Sequence, residues 1–129
     1  MELLLDSHIV LAMAQKTLTS TQPRIAAGLS QDEGARYVSA ASLWEIAIKV
    51  RLGKLDLGMS LDAFVSYVVS LGVAVLTVDA RHAIASVEPE PPTKDPFDRM
   101  LLAQCAVEGL QLVTVDRALT GHPLAWRPA

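Results

Sequence analysis

The runs Glu2-Leu3-Leu4-Leu5, Val73-Ala74-Val75-Leu76-Thr77-Val78 and Leu110-Gln111-Leu112-Val113-Thr114-Val115 are apolar at almost every position. A strand with one face in water alternates apolar and polar residues, whereas a strand apolar throughout must be covered on both faces. Longer segments with helical spacing separate these runs. Such alternation is the pattern of a parallel sheet with helices on both sides.

Read along the chain, a strand at 2–5 leads into a helix from Ser7 to Ala14. A helix at 22–30 follows, then polar residues 30–34 and a strand at 36–40. Leu43, Ile46, Ala47 and Val50 recur at helical spacing, with Ser39 or Ser42 as the cap and Gly53 as the stop. Ser60 caps a further helix that ends at Gly72. A buried strand at 73–78 and a short helix at 80–87 come next, then a proline-rich loop at 88–94. Asp95 caps a helix at 97–108, Gly109 stops it, and a strand covers 110–115. Leu124-Ala125-Trp126 closes the chain as an added edge strand. No repeat or linker divides residues 1–129, which read as one domain with a three-layer α/β/α architecture and a central parallel sheet.

Half of the 129 residues are hydrophobic (51%) and 19% are charged, a balance that supplies a core and argues against disorder. The lone Cys105 excludes a disulfide framework and a multi-cysteine zinc site. Set among Met100, Leu101, Leu102 and Ala103, it reads as a buried, inert thiol. No apolar run reaches the roughly 18 residues that span a bilayer. The N-terminal stretch lacks a basic leader, and Asp6 and His8 interrupt it, so it reads as the first strand and helix rather than a signal peptide. The expectation is a cytoplasmic protein without a membrane segment. His8, His82 and His122 show no metal-ligand or paired catalytic spacing.

The acidic residues then acquire positions. In an open parallel sheet, ligands bind beyond the carboxyl ends of the strands, where the strand order reverses. Asp6 follows the first strand and Asp116 the last, while Glu45 and Asp98 lie near the starts of helices that begin at that same edge. Each acid also has a structural reading. Asp6 and Asp116 suit helix N-caps, Asp95-Pro96-Phe97-Asp98 suits a cap followed by an acidic first turn, and Glu45 can pair with Lys49. Those readings do not explain why the acids share one edge. Two unit charges about 4 Å apart repel by roughly 4 kcal/mol at an effective dielectric near 20. Converging carboxylates must therefore take up protons, basic partners or a cation. An all-oxygen set suits Mg²⁺ or Mn²⁺.

The stretches "LLLDSH", "SAASLWEIAIK", "DPFDRMLLAQ" and "VTVD" resemble PIN-domain ribonucleases, and among them VapC-like toxins of bacterial toxin–antitoxin systems. The resemblance runs in order along nearly the whole chain, with "SAASLWEIAIK" and "DPFDRMLLAQ" its most specific parts. It implies that Asp6, Glu45, Asp98 and Asp116 form an acidic quartet that binds Mg²⁺ or Mn²⁺ and supports hydrolysis of RNA. Asp6, Asp98 and Asp116 are then the leading ligands, and Glu45 binds a second ion or orients water. Ser7, Asp95 and Thr114 fall beside the quartet as accessory groups. The resemblance further implies a homodimer and a cognate antitoxin protein that inserts a segment into the active-site groove. Pro92-Thr93-Lys94 stand where related sequences often carry histidine or a basic pair.

A net charge of −3 is unusual for an RNA-binding protein, yet Lys49, Arg51 and Lys54 cluster after Glu45, and Arg99 follows Asp98. Lys49 and Arg99 are the leading phosphate contacts. Trp44 reads as core rather than as a base-stacking surface. Phe64, Val65, Val68 and Leu71 form a stripe that is core, or in part a dimer surface. Two rival readings stand beside the nuclease. A phosphate-accepting receiver needs a paired acid after the first strand, where Ser7-His8 stand instead. A catalytically inactive PIN-like module would bind RNA or protein without turnover.

Overall fold

The computed structural model describes residues 1–128. In chain order the elements are β1 (Leu3–Leu5), α1 (Ser7–Ala14), α2 (Leu18–Thr21), α3 (Pro23–Gln31), β2 (Arg36–Ser39) and α4 (Ala40–Arg51). There follow α5 (Leu61–Ser70), β3 (Val73–Leu76), α6 (Ala80–Ile84), α7 (Pro96–Glu108), β4 (Gln111–Val113) and α8 (Arg117–Thr120). The strands form one parallel sheet in the order β3-β2-β1-β4.

The pleat sends successive side chains to opposite faces. Leu3 and Leu5 of β1 join Val38, Val73 and Val113 on one face, packed against Ile9, Val10, Leu29, Ile46, Phe64 and Val68 from α1, α3, α4 and α5. Leu4 and Leu112 face the other way, onto Leu101, Leu102 and Cys105 of α7 and Leu119 of α8. The result is the expected α/β/α sandwich. Cys105 is buried, and desolvation pushes its thiol pKa up to about 12, so it is inert at neutral pH.

Local chemistry sets the helix ends. Asp6, Ser39, Ser60, Asp79, Asp95 and Asp116 each accept a hydrogen bond from a backbone N–H in the first turn of the helix that follows. At the far end of α7, Gly109 adopts φ 71°, a left-handed conformation that glycine takes without steric penalty. Ser39, not Ser42, caps α4, so the helix begins at Ala40 and Ser42 is buried within it.

Several details differ from expectation. α2 is an additional short helix, separated from α3 by Gln22, with Pro23 opening α3. β3 lies at the edge of the sheet, so its apolar run is only half covered, and Val75 is 38% exposed. α6 ends at Ile84 because Ala85 turns extended. Leu124-Ala125-Trp126 pairs with the sheet through one parallel bridge, Ala125 to Leu112, rather than a full strand. Trp44 is not core: it is 62% exposed. Phe64 and Val68 of the α5 stripe are core, while Leu71 is largely exposed. Among the described residues, no helix is long and apolar enough to cross a membrane.

Leu4 is fully buried at the middle of the central strand, and Ile84 is 83% exposed. Leu4→Ala should lower the urea unfolding free energy by about 2–5 kcal/mol. Ile84→Ala should change it by less than about 0.5 kcal/mol.

Candidate active site

β1 lies between β2 and β4, and the chain leaves it first toward β2 and β3 before returning to β4 on the opposite side. The order therefore reverses between β1 and β4, where the loops at the carboxyl ends splay apart and leave a crevice. Asp6 follows β1 directly, and Thr114 and Asp116 follow β4. The Asp6 N–H still donates to the Val113 carbonyl at 3.0 Å, which fixes the two strand exits side by side.

Asp6 is 5% exposed, and its neighbours Ser7 and Thr114 are also buried. Its Oδ1 accepts from the Ile9 N–H at 3.0 Å. Burial raises the pKa of this carboxyl; the Thr114 hydroxyl, the Ile9 and His8 N–H groups and the His8 charge hold it down in part. The Thr114 Oγ1 in turn accepts from the Asp116 N–H at 3.1 Å. One hydroxyl thus links the acids that end the two strands. Asp116 caps α8, its Oδ1 accepting from the Ala118 N–H at 2.9 Å.

Glu45 enters from α4. The Ser7 hydroxyl donates to its Oε1 at 2.8 Å, joining the first residue of α1 to α4. The alternative pair with Lys49 is not formed. Asp98 sits three residues after the cap Asp95 in α7 and leaves the capping to it, since the Phe97 N–H donates to Asp95 Oδ1 at 2.9 Å. The Thr93 hydroxyl donates to Asp98 Oδ2 at 3.4 Å and accepts from the Asp95 N–H at 3.1 Å. Thr93-Lys94-Asp95 and Thr114-Val115-Asp116 therefore repeat one device. In each, threonine takes the N–H of a capping aspartate and stands beside a different acid, Asp98 for Thr93 and Asp6 for Thr114.

The Asp98 carboxyl is raised from the ordinary 3.8 to about 6, first by burial and then by the negative charges of Asp95, Asp116 and Glu45. Those three acids are within electrostatic reach of Asp98. Among the described residues, none of Asp6, Glu45, Asp98 and Asp116 forms an ion pair. Nor do any three His, Cys, Asp or Glu side chains stand close enough to complete a metal site by themselves. Direct ligation would therefore come from at most two carboxylates, with water in the remaining positions, as Mg²⁺ accepts. The donor chemistry, all oxygen and with its negative charge uncompensated, fits a hard divalent cation.

The basic residues divide. Lys49 and Lys54 line a groove of about 500 Å³ together with Glu45, Asp95, Pro96 and Phe97. Arg99 turns instead to the 88–94 loop, its Nε donating to the Thr93 carbonyl at 2.7 Å and its Nη2 pairing with Glu90 at 3.2 Å. His82 and His122 are buried in structural roles. His82 accepts the Asp79 N–H, and the Nε2 of His122 lies 2.9 Å from the Pro89 carbonyl. Thr93 was not singled out by sequence reasoning as a site residue, although its spacing to Asp95 matches that of Thr114 to Asp116.

A raised carboxyl pKa means that the folded chain holds a proton the unfolded chain has released. The contribution of Asp98 to stability is therefore fully present below pH 3.8 and is lost as pH rises through about 6. Asp98→Asn should raise the urea midpoint at pH 7.5 in EDTA relative to wild type, and the gain should shrink toward pH 4. A difference independent of pH would show that the Asp98 charge is not disfavoured by burial and its neighbours.

A search of curated proteins found no match. The family model described as PIN domain matches residues 3–121, a span that runs from β1 through α8 and includes all four acids. On that match, and on the parallel sheet and helix layers that accompany it, the chain belongs to the PIN domain family.

Proposed function

We propose that the chain is a Mg²⁺- or Mn²⁺-dependent endoribonuclease and the toxin of a toxin–antitoxin pair. PIN domains are generally metal-dependent nucleases. The observation that carries the reading furthest is the set of carboxylates without ion-pair partners at the β1/β4 crevice, with Asp98 raised first by burial and then by its acidic neighbours. Asp6, Asp98 and Asp116 would hold the ion, one or two of them directly and the rest through its water, and Glu45, oriented by Ser7, would hold a second ion or the attacking water. When bound, such an ion lowers the pKa of water and offsets charge on the phosphodiester oxygens. Hydrolysis adds water across one P–O ester bond and leaves a phosphate end and a hydroxyl end.

The chain's own groups divide the remaining work. Thr114 and Thr93 fix Asp6 and Asp98, while Asp95 holds the start of α7. Lys49 and Lys54 supply positive charge for the phosphates flanking the cut. Arg99, proposed from sequence as a phosphate contact, acts here chiefly by tying Thr93 to α7. The stretches "SAASLWEIAIK" and "DPFDRMLLAQ" support the narrower assignment to a toxin that acts on cytoplasmic RNA, forms a homodimer and is restrained by a cognate antitoxin protein.

A mixed pool of single-stranded RNA should be cut with Mg²⁺ or Mn²⁺ and not in EDTA, and Asp98→Asn and Asp6→Asn should abolish the cuts. Equal cutting by wild type and variants would overturn the assignment. In thermal melts, metal at a hundred times its Kd should stabilise wild type by about 2.7 kcal/mol and leave Asp98→Asn nearly unmoved. Ser7→Ala frees the Glu45 carboxylate, so it should cost roughly 10- to 100-fold in activity or metal affinity. Full activity in that variant would remove Ser7 from the site.

A further inference from the structure

Trp44 is the largest exposed aromatic surface of the chain, 62% accessible on a helix whose Ser42 and Ile46 are buried. It is nonetheless held in place. Its ring meets that of Phe97 edge-to-face, with centroids 5.7 Å apart and planes at 67°. Each ring is one residue from an acid of the site, Trp44 beside Glu45 and Phe97 beside Asp98. The pair lines an apolar groove of about 710 Å³ with Ala40, Ala41, Ile48 and Met100. Ile48, Pro96 and Phe97 also wall the groove that carries Lys49 and Lys54, so the two are continuous.

We propose that the exposed face of Trp44, braced by Phe97, stacks an unpaired nucleobase of the substrate strand beside the phosphate held at the acids. This rests on the nuclease reading above and adds where the substrate's base is held. Position and charge decide the occupant. A polypeptide could cover the apolar groove without reaching the acids, whereas a strand whose phosphate is held at the acids passes beside Trp44, one residue from Glu45. A single strand uses both surfaces, its bases on the aromatic rings and its phosphates on Lys49 and Lys54. A base within a duplex has both faces occupied by its neighbours, so the site takes single-stranded or looped segments. The groove offers the base edge no polar side chain, so selection follows stacking strength, and purines are held more tightly than pyrimidines.

The test titrates short single-stranded RNA carrying 2-aminopurine at successive positions into the full-length protein, with Ca²⁺ present to screen the acids. Wild type should quench 2-aminopurine at one position. Trp44→Ala should abolish that quenching and weaken affinity by roughly fivefold to more than a hundredfold, while Trp44→Phe keeps most of both. The salt dependence of binding should stay unchanged in Trp44→Ala and flatten in Lys49→Ala. Unchanged RNA affinity in Trp44→Ala, with wild type still cleaving RNA in Mg²⁺, overturns the stacking site and leaves the nuclease reading intact. Unchanged affinity together with a shift in sedimentation overturns it in favour of a second copy in the groove. Failure of wild type both to bind and to cleave RNA overturns the nuclease reading and this inference with it.

Discussion

The burial of β1 on both faces places nearly everything else. Its three leucines are inaccessible, two to the layer of α1, α3, α4 and α5 and one to the layer of α7 and α8. A strand so enclosed cannot slip by one residue without drawing Glu2 or Asp6 into the apolar core. Its register against β2 and β4 is thereby fixed, and so is the point where the chain turns into Asp6. Because the strand order reverses at β1, the exit of β4 lies directly beside it. The apolar core thus determines where the acids meet.

Those acids do two things at once. Asp6, Asp95 and Asp116 satisfy backbone N–H groups at helix starts, which stabilises the local fold. Capping takes one oxygen of each and leaves the charge of the group in place. The two readings of these residues, cap and site member, are therefore compatible, and the helix starts supply the geometry that gathers the charge. The threonines extend the arrangement by tying cap to neighbour across the crevice. What remains unbalanced is the burial of Asp98 and the repulsion that together raise its pKa.

Much of this was legible in the sequence. The apolar strands gave the parallel sheet, and the caps Asp6 and Ser60 gave the helix starts that follow them. Apolar content could not reveal that β3 is an edge strand, because strand order is set by long-range pairing. Nor could it place Trp44, since an indole on a helix with buried neighbours looks like core until α7 is seen to brace it with Phe97 and leave it 62% exposed. The four acids were named from position and resemblance. Which hydroxyls hold them depends on contacts between residues 38 positions apart, as for Ser7 and Glu45, and no local pattern encodes those.

The 88–94 loop, which delivers Thr93 to Asp98, is gripped through its main chain. Arg99 holds the carbonyl of Thr93, and His122 meets the carbonyl of Pro89. Every residue type carries a carbonyl. Exposed side chains such as Pro92 and Lys94 can therefore drift across generations without loosening its course, provided the hydroxyl at Thr93, the Glu90 carboxylate paired with Arg99 and the buried Pro91 survive. A segment beside the acids that stays in place while its sequence varies is a natural ground on which descendants of one ancestor could come to prefer different substrates.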